Sequence, residues 1–171
     1  MIGLYRGVDQ LSRTIKFFTR SPYSHASWVM SDGSVIEAWR GGVRHEPTFN
    51  HGHTSGTVIE LFDFRHPLSE QETQALESWL LAQVGRKYDY GDILAFLLRR
   101  PRPHNAKWFC SELIFAATQH AGIEVLARIE PWQVFPGLLA FSPLLVKVGE
   151  VKTIAPAEII ASGYDMQEVY A

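Results

Sequence analysis

The segment that most constrains the fold is HASWVMSDGSVIEAW, residues 25–39, in which two runs of strand-forming residues flank the turn sequence SDG. Asp-Gly between such runs is a strong signal for a β-hairpin. A two-residue DG loop would place Met30 opposite Val35, whereas a three-residue SDG loop with its glycine in the left-handed region would place Met30 opposite Ser34. Either register predicts an antiparallel sheet, and the register decides which side chains share a face.

Four further segments have the composition of strands and are expected to extend this sheet. They are IGLYR (2–6), GGVRHEP (41–47), TVIELFDF (57–64) and LLVKVGEV (144–151). The aromatic, proline-punctuated segment PWQVFPGLLAFS (131–142) predicts short turns packed on the core. The predicted architecture is α+β, with helices packed on one antiparallel sheet in a single domain over residues 1–171.

Helical spacing of apolar residues and helix-capping signals mark four segments as helices. They are VDQLSRTIKFFTR (8–20), with Val8, Leu11, Ile15 and Phe18 at helical spacing, SEQETQALESWLLAQVG (69–85), YGDILAFLLRR (90–100), stopped by Pro101, and a segment from Cys110 to Gly122. Ser69 and Glu72 form a capping box, and Gly85 is expected at the C′ position of that helix. In the last helix, the predicted inward stripe is Leu113, Ile114, Ala117 and Ala121.

Charge and composition argue against several classes of protein. The 18 acidic and 16 basic side chains give a net charge of −2, so the broad positive field of a nucleic-acid-binding protein is missing. The proline-broken basic run RRPRPHNAK (99–107) is interpreted as a solvated loop, with a loop that holds an anionic substrate group as the alternative. No segment reaches the roughly 18 apolar residues of a membrane span, and no signal-peptide pattern is found, which predicts a cytoplasmic protein.

Cys110, the single cysteine, lies at the predicted start of a helix. A thiol attacks as thiolate, and a helix N-terminus and a neighbouring imidazolium both favour the thiolate. The unpaired backbone N–H groups of a first helical turn could also hold an oxyanion. The alternative is an inert core thiol, because free cysteine is among the most buried residue types. The choice between the two depends on whether a base lies nearby.

His25 is the strongest candidate for that base among seven histidines, because it opens a strand with small or apolar neighbours. An imidazole that acts as a base needs an orienting partner, and Glu37 is the candidate. With the three-residue loop, Glu37 lies opposite Ser27 and becomes the same-face diagonal neighbour of His25, within reach across the sheet. With the two-residue loop, Glu37 falls on the opposite face. Alone, Glu37 could equally be a solvated residue at a sheet edge.

Three segments together resemble a known family. SPYSHASWVMSDGSVIEAWRGGV (21–43), GRKYDY (85–90) and WFCSELI (108–114) are similar to the motifs of circularly permuted NlpC-type papain-like cysteine hydrolases, the YiiX-like group, with a more distant likeness to lecithin:retinol acyltransferase. The resemblance implies a papain-like α+β fold in which the site residues follow the order His25, Glu37, Cys110, the reverse of papain's cysteine-first order. Triads are recognised by geometry, so this order is no objection.

The resemblance also implies roles for individual residues. Cys110 matches the nucleophile, His25 the base and Glu37 the acid that orients the base. Tyr88 matches a tyrosine beside the oxyanion hole, although Tyr90 competes for that assignment. The implied activity is hydrolysis or transfer of an acyl group from a small peptide or an acyl lipid, without a cofactor or metal. The apolar segment 132–145 could line an acyl pocket, with core packing as the alternative.

Two other classes of function stay open. The same fold could hold a peptide or lipid without turning it over, as a binding module. Separately, RHEPTFNHGH (44–53) contains His45, Glu46, His51 and His53, which could ligate a metal, although a His-x-His pair in a glycine-rich loop is typical of polar surface.

Overall fold

The computed structural model describes residues 1–49, 51–87 and 108–154. Within them, six strands form one sheet in the order β4-β3-β2-β1-β5-β6, and every neighbouring pair is antiparallel. The strands are β1 (Ile2–Arg6), β2 (His25–Val29), β3 (Val35–Trp39), β4 (Gly42–Glu46), β5 (Val58–Phe64) and β6 (Leu145–Lys152). All the predicted strands are confirmed.

The described helices are α1 (Gln10–Thr19), α2 (Glu70–Leu81), α3 (Cys110–His120) and α4 (Pro136–Leu139), together with a 3-10 helix at Pro131–Gln133. The capping box of α2 is confirmed: the Glu72 carboxylate accepts from the Ser69 backbone N–H at 2.8 Å, and the Ser69 hydroxyl accepts from the Glu72 N–H at 3.2 Å. The short turns predicted over 131–142 are also present. The mixed α+β architecture with helices on an antiparallel sheet therefore stands.

The hairpin adopts the three-residue loop. Val29 pairs with Val35 and Trp28 with Ile36, and the Met30 N–H donates to the Ser34 carbonyl at 2.8 Å. Gly33 has a φ of 84°, the left-handed conformation that this loop requires of its last residue. Because side chains alternate along a strand, this register places His25 and Glu37 on one face of the sheet.

The opposite face of the hairpin carries the main core. Ala26, Trp28, Met30, Ile36 and Ala38 all belong to one buried cluster. Helices α2 and α3 cover this face, and α3 contributes Leu113, Ile114 and Ala117, each fully buried. The inward stripe predicted for this helix is thus confirmed, with Ala121 only partly buried. A smaller cluster, Tyr5, Val29, Val35, Phe49 and Ile59, lies on the face of His25 and Glu37.

The prediction of Gly85 as the C′ residue of α2 is wrong. The helix ends at Leu81 with Ala82 as its C-cap, and tight turns follow, in which the Gln83 N–H donates to the Leu80 carbonyl at 3.0 Å. Gly85 does adopt a left-handed φ of 86°, but its N–H donates to the Val43 carbonyl at 2.8 Å. The glycine therefore joins the chain to β4 instead of ending the helix.

Several predictions fall outside the described residues. These are the helix over 90–100, the basic run 99–107, Tyr88 and Tyr90, and the extent of the single domain to residue 171. Among the residues that are described, no helix has the length and apolar character needed to cross a bilayer.

Candidate functional site

His25 and Glu37 meet in a buried hydrogen bond. His25 is the first residue of β2 and Glu37 the central residue of β3, with exposed fractions of 5% and 1%. His25 Nε2 and Glu37 Oε2 are 2.5 Å apart. This is the same-face contact that the three-residue hairpin loop predicts, and charge-assisted pairs of this kind are among the shortest hydrogen bonds in proteins.

Cys110 completes the cluster through a side-chain hydrogen bond with His25. It is the first residue of α3 and is 6% exposed, so its sulfur lies at the positive end of the helix. Burial alone would lower the pKa of His25, but the charge of the Cys110 sulfur, the Glu37 carboxylate and hydrogen bonds to both raise it to about 9. Since Nε2 contacts Glu37, Nδ1 is the ring nitrogen left for sulfur. The structure thus brings together the three residues singled out from the sequence.

Two residues that the sequence analysis did not place beside Glu37 also hold its carboxylate. Arg44 donates to Glu37 Oε1 through Nε at 2.9 Å and through Nη2 at 2.5 Å. His53 Nε2 lies 3.1 Å from Oε2 and 3.2 Å from Oε1. Arg44 is directly opposite Glu37 in the β3–β4 register, so the strand pairing could have revealed it as an opposite-charge cross-strand pair.

The environment of Glu37 keeps the carboxylate ionised although it is buried. Burial would raise the pKa of Glu37, but the charges and hydrogen bonds of His25 and His53 hold it far below its usual range. Burial lowers the pKa of His53, and the nearby charges of His25 and Arg44 act in the same direction, against the raising effect of Glu37. The two histidines that contact this carboxylate therefore differ in protonation state. At neutral pH the imidazole of His25 is protonated and positively charged, whereas that of His53 is neutral and donates from Nε2 to Glu37.

Aromatic rings enclose both histidines. Tyr5 and Trp39 each lie 4.8 Å from the His25 ring, in edge-to-face geometry, and 4.5 Å from the His53 ring. The Tyr5 hydroxyl is hydrogen-bonded to the Ser27 hydroxyl at 2.9 Å, which fixes the tyrosine on this face. Ring packing on several sides restricts rotation of the imidazoles, so the Cys110–His25–Glu37 geometry is set before any ligand binds.

The four residues considered as metal ligands from the sequence, His45, Glu46, His51 and His53, do not converge on one site. His45 Nε2 lies 2.6 Å from the Ser34 hydroxyl, His51 pairs with Glu46 at 2.7 Å, and His53 turns inward to Glu37. A different trio, His25, Glu37 and His53, offers three ligand atoms within 4.8 Å of one another. The guanidinium of Arg44 on Glu37 Oε1 competes with a cation for this carboxylate.

The Tyr88 assignment lies outside the described residues. The chain that leads to it is described up to Lys87, whose carbonyl accepts from the Trp108 N–H at 3.4 Å, two residues before Cys110. Gly42, with a φ of 150°, lies close to the same segment, since a Cβ there would be 2.5 Å from the Arg86 carbonyl oxygen. The absence of a side chain at Gly42 thus lets Arg86 and Lys87 approach β4.

We expect Arg44→Met to lower the free energy of unfolding at neutral pH, because the buried carboxylate of Glu37 loses its guanidinium partner while both histidines remain. The expected loss is roughly 1.5 to 3 kcal/mol, the range for a hydrogen bond to a charged group. Urea denaturation measures the change. Arg13→Met, at an exposed arginine of α1, is the matched control and is expected to change stability by less than about 0.5 kcal/mol. Equal losses in the two variants would mean that Arg44 does not stabilise the site.

The described residues form an α+β fold with a buried Cys–His–Glu cluster. The solved structure of metalloprotein YiiX from Escherichia coli O157:H7, DUF1105, is similar to this chain with a TM-score of 0.64 and 19% sequence identity, over 90% of this chain and 96% of that chain. No protein-family profile matches the sequence, and no curated protein matches it significantly. The likeness concerns the fold alone.

Proposed function

We propose that this chain is a cysteine hydrolase or acyltransferase of the permuted papain-like type, acting on an amide or ester through a thioester intermediate. The observation that carries the proposal is the cluster of three buried side chains in which His25 is hydrogen-bonded to both Cys110 and Glu37. A nucleophile, a base and an orienting acid in hydrogen-bond sequence form the arrangement that activates a nucleophilic side chain.

The first half of the proposed reaction acylates Cys110. Its sulfur forms a bond to the carbonyl carbon while the carbonyl π electrons move to oxygen, and the Cys110 backbone N–H at the start of α3 stabilises that oxyanion. The intermediate collapses, the bond to the leaving nitrogen or oxygen breaks, and the imidazolium of His25 gives its proton to the leaving group. Glu37 holds the ring in place through Nε2, so Nδ1 faces the reacting atoms.

The second half releases the acyl group. Water, or an acceptor amine or alcohol, loses a proton to neutral His25 as its oxygen or nitrogen attacks the thioester carbon, and the carbon–sulfur bond then breaks. Hydrolysis and transfer share every protein group in this scheme, so the acceptor alone separates them. The substrate class proposed is a small peptide or an acyl lipid, as the family resemblance implies.

The pH dependence of His25 is a direct test of the pairing with Cys110. We expect histidine NMR signals to show that His25 keeps its proton until the pH approaches about 9, and that Cys110→Ala lowers the pKa of His25, because the sulfur is one of the two groups that raise it. Acylation should fall as pH rises through about 9, since the protonated ring donates to the leaving group. A pKa of His25 that is the same in both proteins would contradict the pairing.

The alternative to an enzyme is a binding module on the same fold, and the reactivity of the Cys110 thiol distinguishes the two. In the proposed enzyme, iodoacetamide alkylates Cys110 near neutral pH faster than it alkylates glutathione, and His25→Ala removes the advantage. Alkylation at the glutathione rate in both proteins would favour a binder.

A metal site is a second candidate, favoured by the ligand trio of His25, Glu37 and His53 and by the description of the YiiX structure as that of a metalloprotein. The Arg44 guanidinium on Glu37 disfavours it, because a cation would have to share this carboxylate with a positive charge. Elemental analysis of protein prepared without chelator separates the two functions: stoichiometric metal that is lost in His53→Ala supports the metal site.

A further inference from the structure

Helix α1 exposes an apolar face. Ser12 is the only residue of the helix that is buried. Phe17 and Phe18 are 78% and 49% exposed, and their rings contact each other edge to face at 5.5 Å. The helix therefore directs a small polar residue inward and its largest apolar residues outward, the reverse of the arrangement that stabilises an isolated domain.

The outward surface of α1 is centred on Phe17. Arg13, Phe17 and Arg20 recur at the spacing of one helical face, and all three are exposed. Phe18, which is also exposed, extends this surface on one side. The exposed surface therefore combines two phenylalanines with two cations.

The charge of this surface has one sign. Its charged side chains are Arg13 and Arg20, the residue that caps the end of the helix, and residues Gln10–Thr19 include no acidic side chain. The carboxylate at the other end, Asp9, is occupied as the N-cap, since it accepts from the Ser12 N–H at 2.9 Å. A surface of this kind complements an anionic one.

The helix is also anchored beside the candidate site. Lys16 Nζ donates to the Gly7 carbonyl at 2.7 Å, and the Gly7 N–H donates to the Ser24 hydroxyl at 3.2 Å, one residue before His25. The anchoring contacts use the polar inner side of α1. They leave the outward surface of α1 free to contact a partner without disturbing the fold.

We propose that the outward surface of α1 binds an anionic phospholipid bilayer. Phenylalanines beside arginines and lysines on a short surface helix are the combination that lies in the lipid headgroup region, where the rings enter the acyl boundary and the cations pair with lipid phosphates. The charge complementarity selects an anionic bilayer over a neutral one. Membrane binding by this surface does not depend on catalysis, so it can be tested separately from the proposed reaction.

Vesicle co-sedimentation of the full chain tests this surface. We expect binding to vesicles of phosphatidylcholine mixed with phosphatidylglycerol, weaker binding to phosphatidylcholine alone, and a decrease with added salt. The double variant Phe17→Ser, Phe18→Ser is expected to lose at least about tenfold in partitioning. Arg13→Gln with Arg20→Gln should lose binding to anionic vesicles only. Cys110→Ala should bind as the wild type does, which separates this proposal from the catalytic one.

Phe141→Ser is the matched control, because Phe141 is 80% exposed but follows α4 instead of lying on α1. Its binding is expected to equal that of the wild type. Absence of vesicle binding, or binding that the paired phenylalanine substitutions leave unchanged, overturns the proposal. Self-association in analytical ultracentrifugation that the same substitutions abolish would overturn it too, since the surface would then bind a second copy.

Discussion

Replacing Cys110 by alanine is expected to reduce turnover of amide or ester substrates to the background rate, a loss on the order of 10⁴-fold or more. The reason is that the proposed thioester has no other atom to form on: Cys110 is the single cysteine of the chain. The substitution removes one sulfur at the first residue of α3, whose buried stripe of Leu113, Ile114 and Ala117 is untouched, so the fold is expected to persist.

Circular dichroism and thermal unfolding provide the control for Cys110→Ala, because a folded variant isolates the chemistry from the stability. Cys110→Ser is the companion variant: it keeps a hydrogen-bond partner for His25 but replaces the thiol by a far weaker nucleophile. Turnover that persists in folded Cys110→Ala would remove the nucleophile assignment altogether.

The second large effect is expected for substitutions of His25 and Glu37, the proposed base and its orienting acid. We expect His25→Ala to lower the rate by about 10²- to 10⁴-fold, the contribution of a general acid–base group, and Glu37→Gln to lower it less. A glutamine retains an oxygen that can accept from the imidazole, and the aromatic rings of Tyr5 and Trp39 still restrict the ring. An alanine leaves no proton acceptor at all. Steady-state rates on one ester substrate compare the two variants.

Equal losses in His25→Ala and Glu37→Gln would mean that Glu37 does more than orient the base. Measuring kcat and KM separately shows whether Glu37 orients the base or binds substrate, because loss of an orienting residue lowers kcat. Tyr23→Phe is the matched control. It removes a hydroxyl that donates to Glu60 at 2.5 Å, two residues from His25, and is expected to leave kcat unchanged.

The contact of His25 with Glu37 could be predicted from the sequence because one local feature, the SDG loop, fixes the register of the hairpin. The alternation of β2 and β3 then separates the core face from the site face. Helical spacing likewise predicted that Cys110 begins a helix. These predictions rest on periodicity and turn chemistry, which act over a few residues.

The rest of the site depends on contacts that no local pattern specifies. His53 reaches Glu37 from the irregular segment between β4 and β5, where neither strand nor helix periodicity constrains a side chain. Helical spacing predicted the apolar stripe of α1, but it does not determine whether a stripe faces the core or the solvent. For Gly85, the expectation of a helix cap failed because a tertiary bond to Val43 uses the same left-handed conformation.

The most direct test of the account is intact-mass and peptide mass spectrometry of the protein after exposure to a panel of acyl donors that ranges from short peptides to long-chain esters. The account predicts a single added acyl mass on Cys110 that is released by hydroxylamine and absent in His25→Ala. Lack of any adduct across the panel, or an adduct that forms equally well without His25, would contradict the claim that sulfur, imidazole and carboxylate act together.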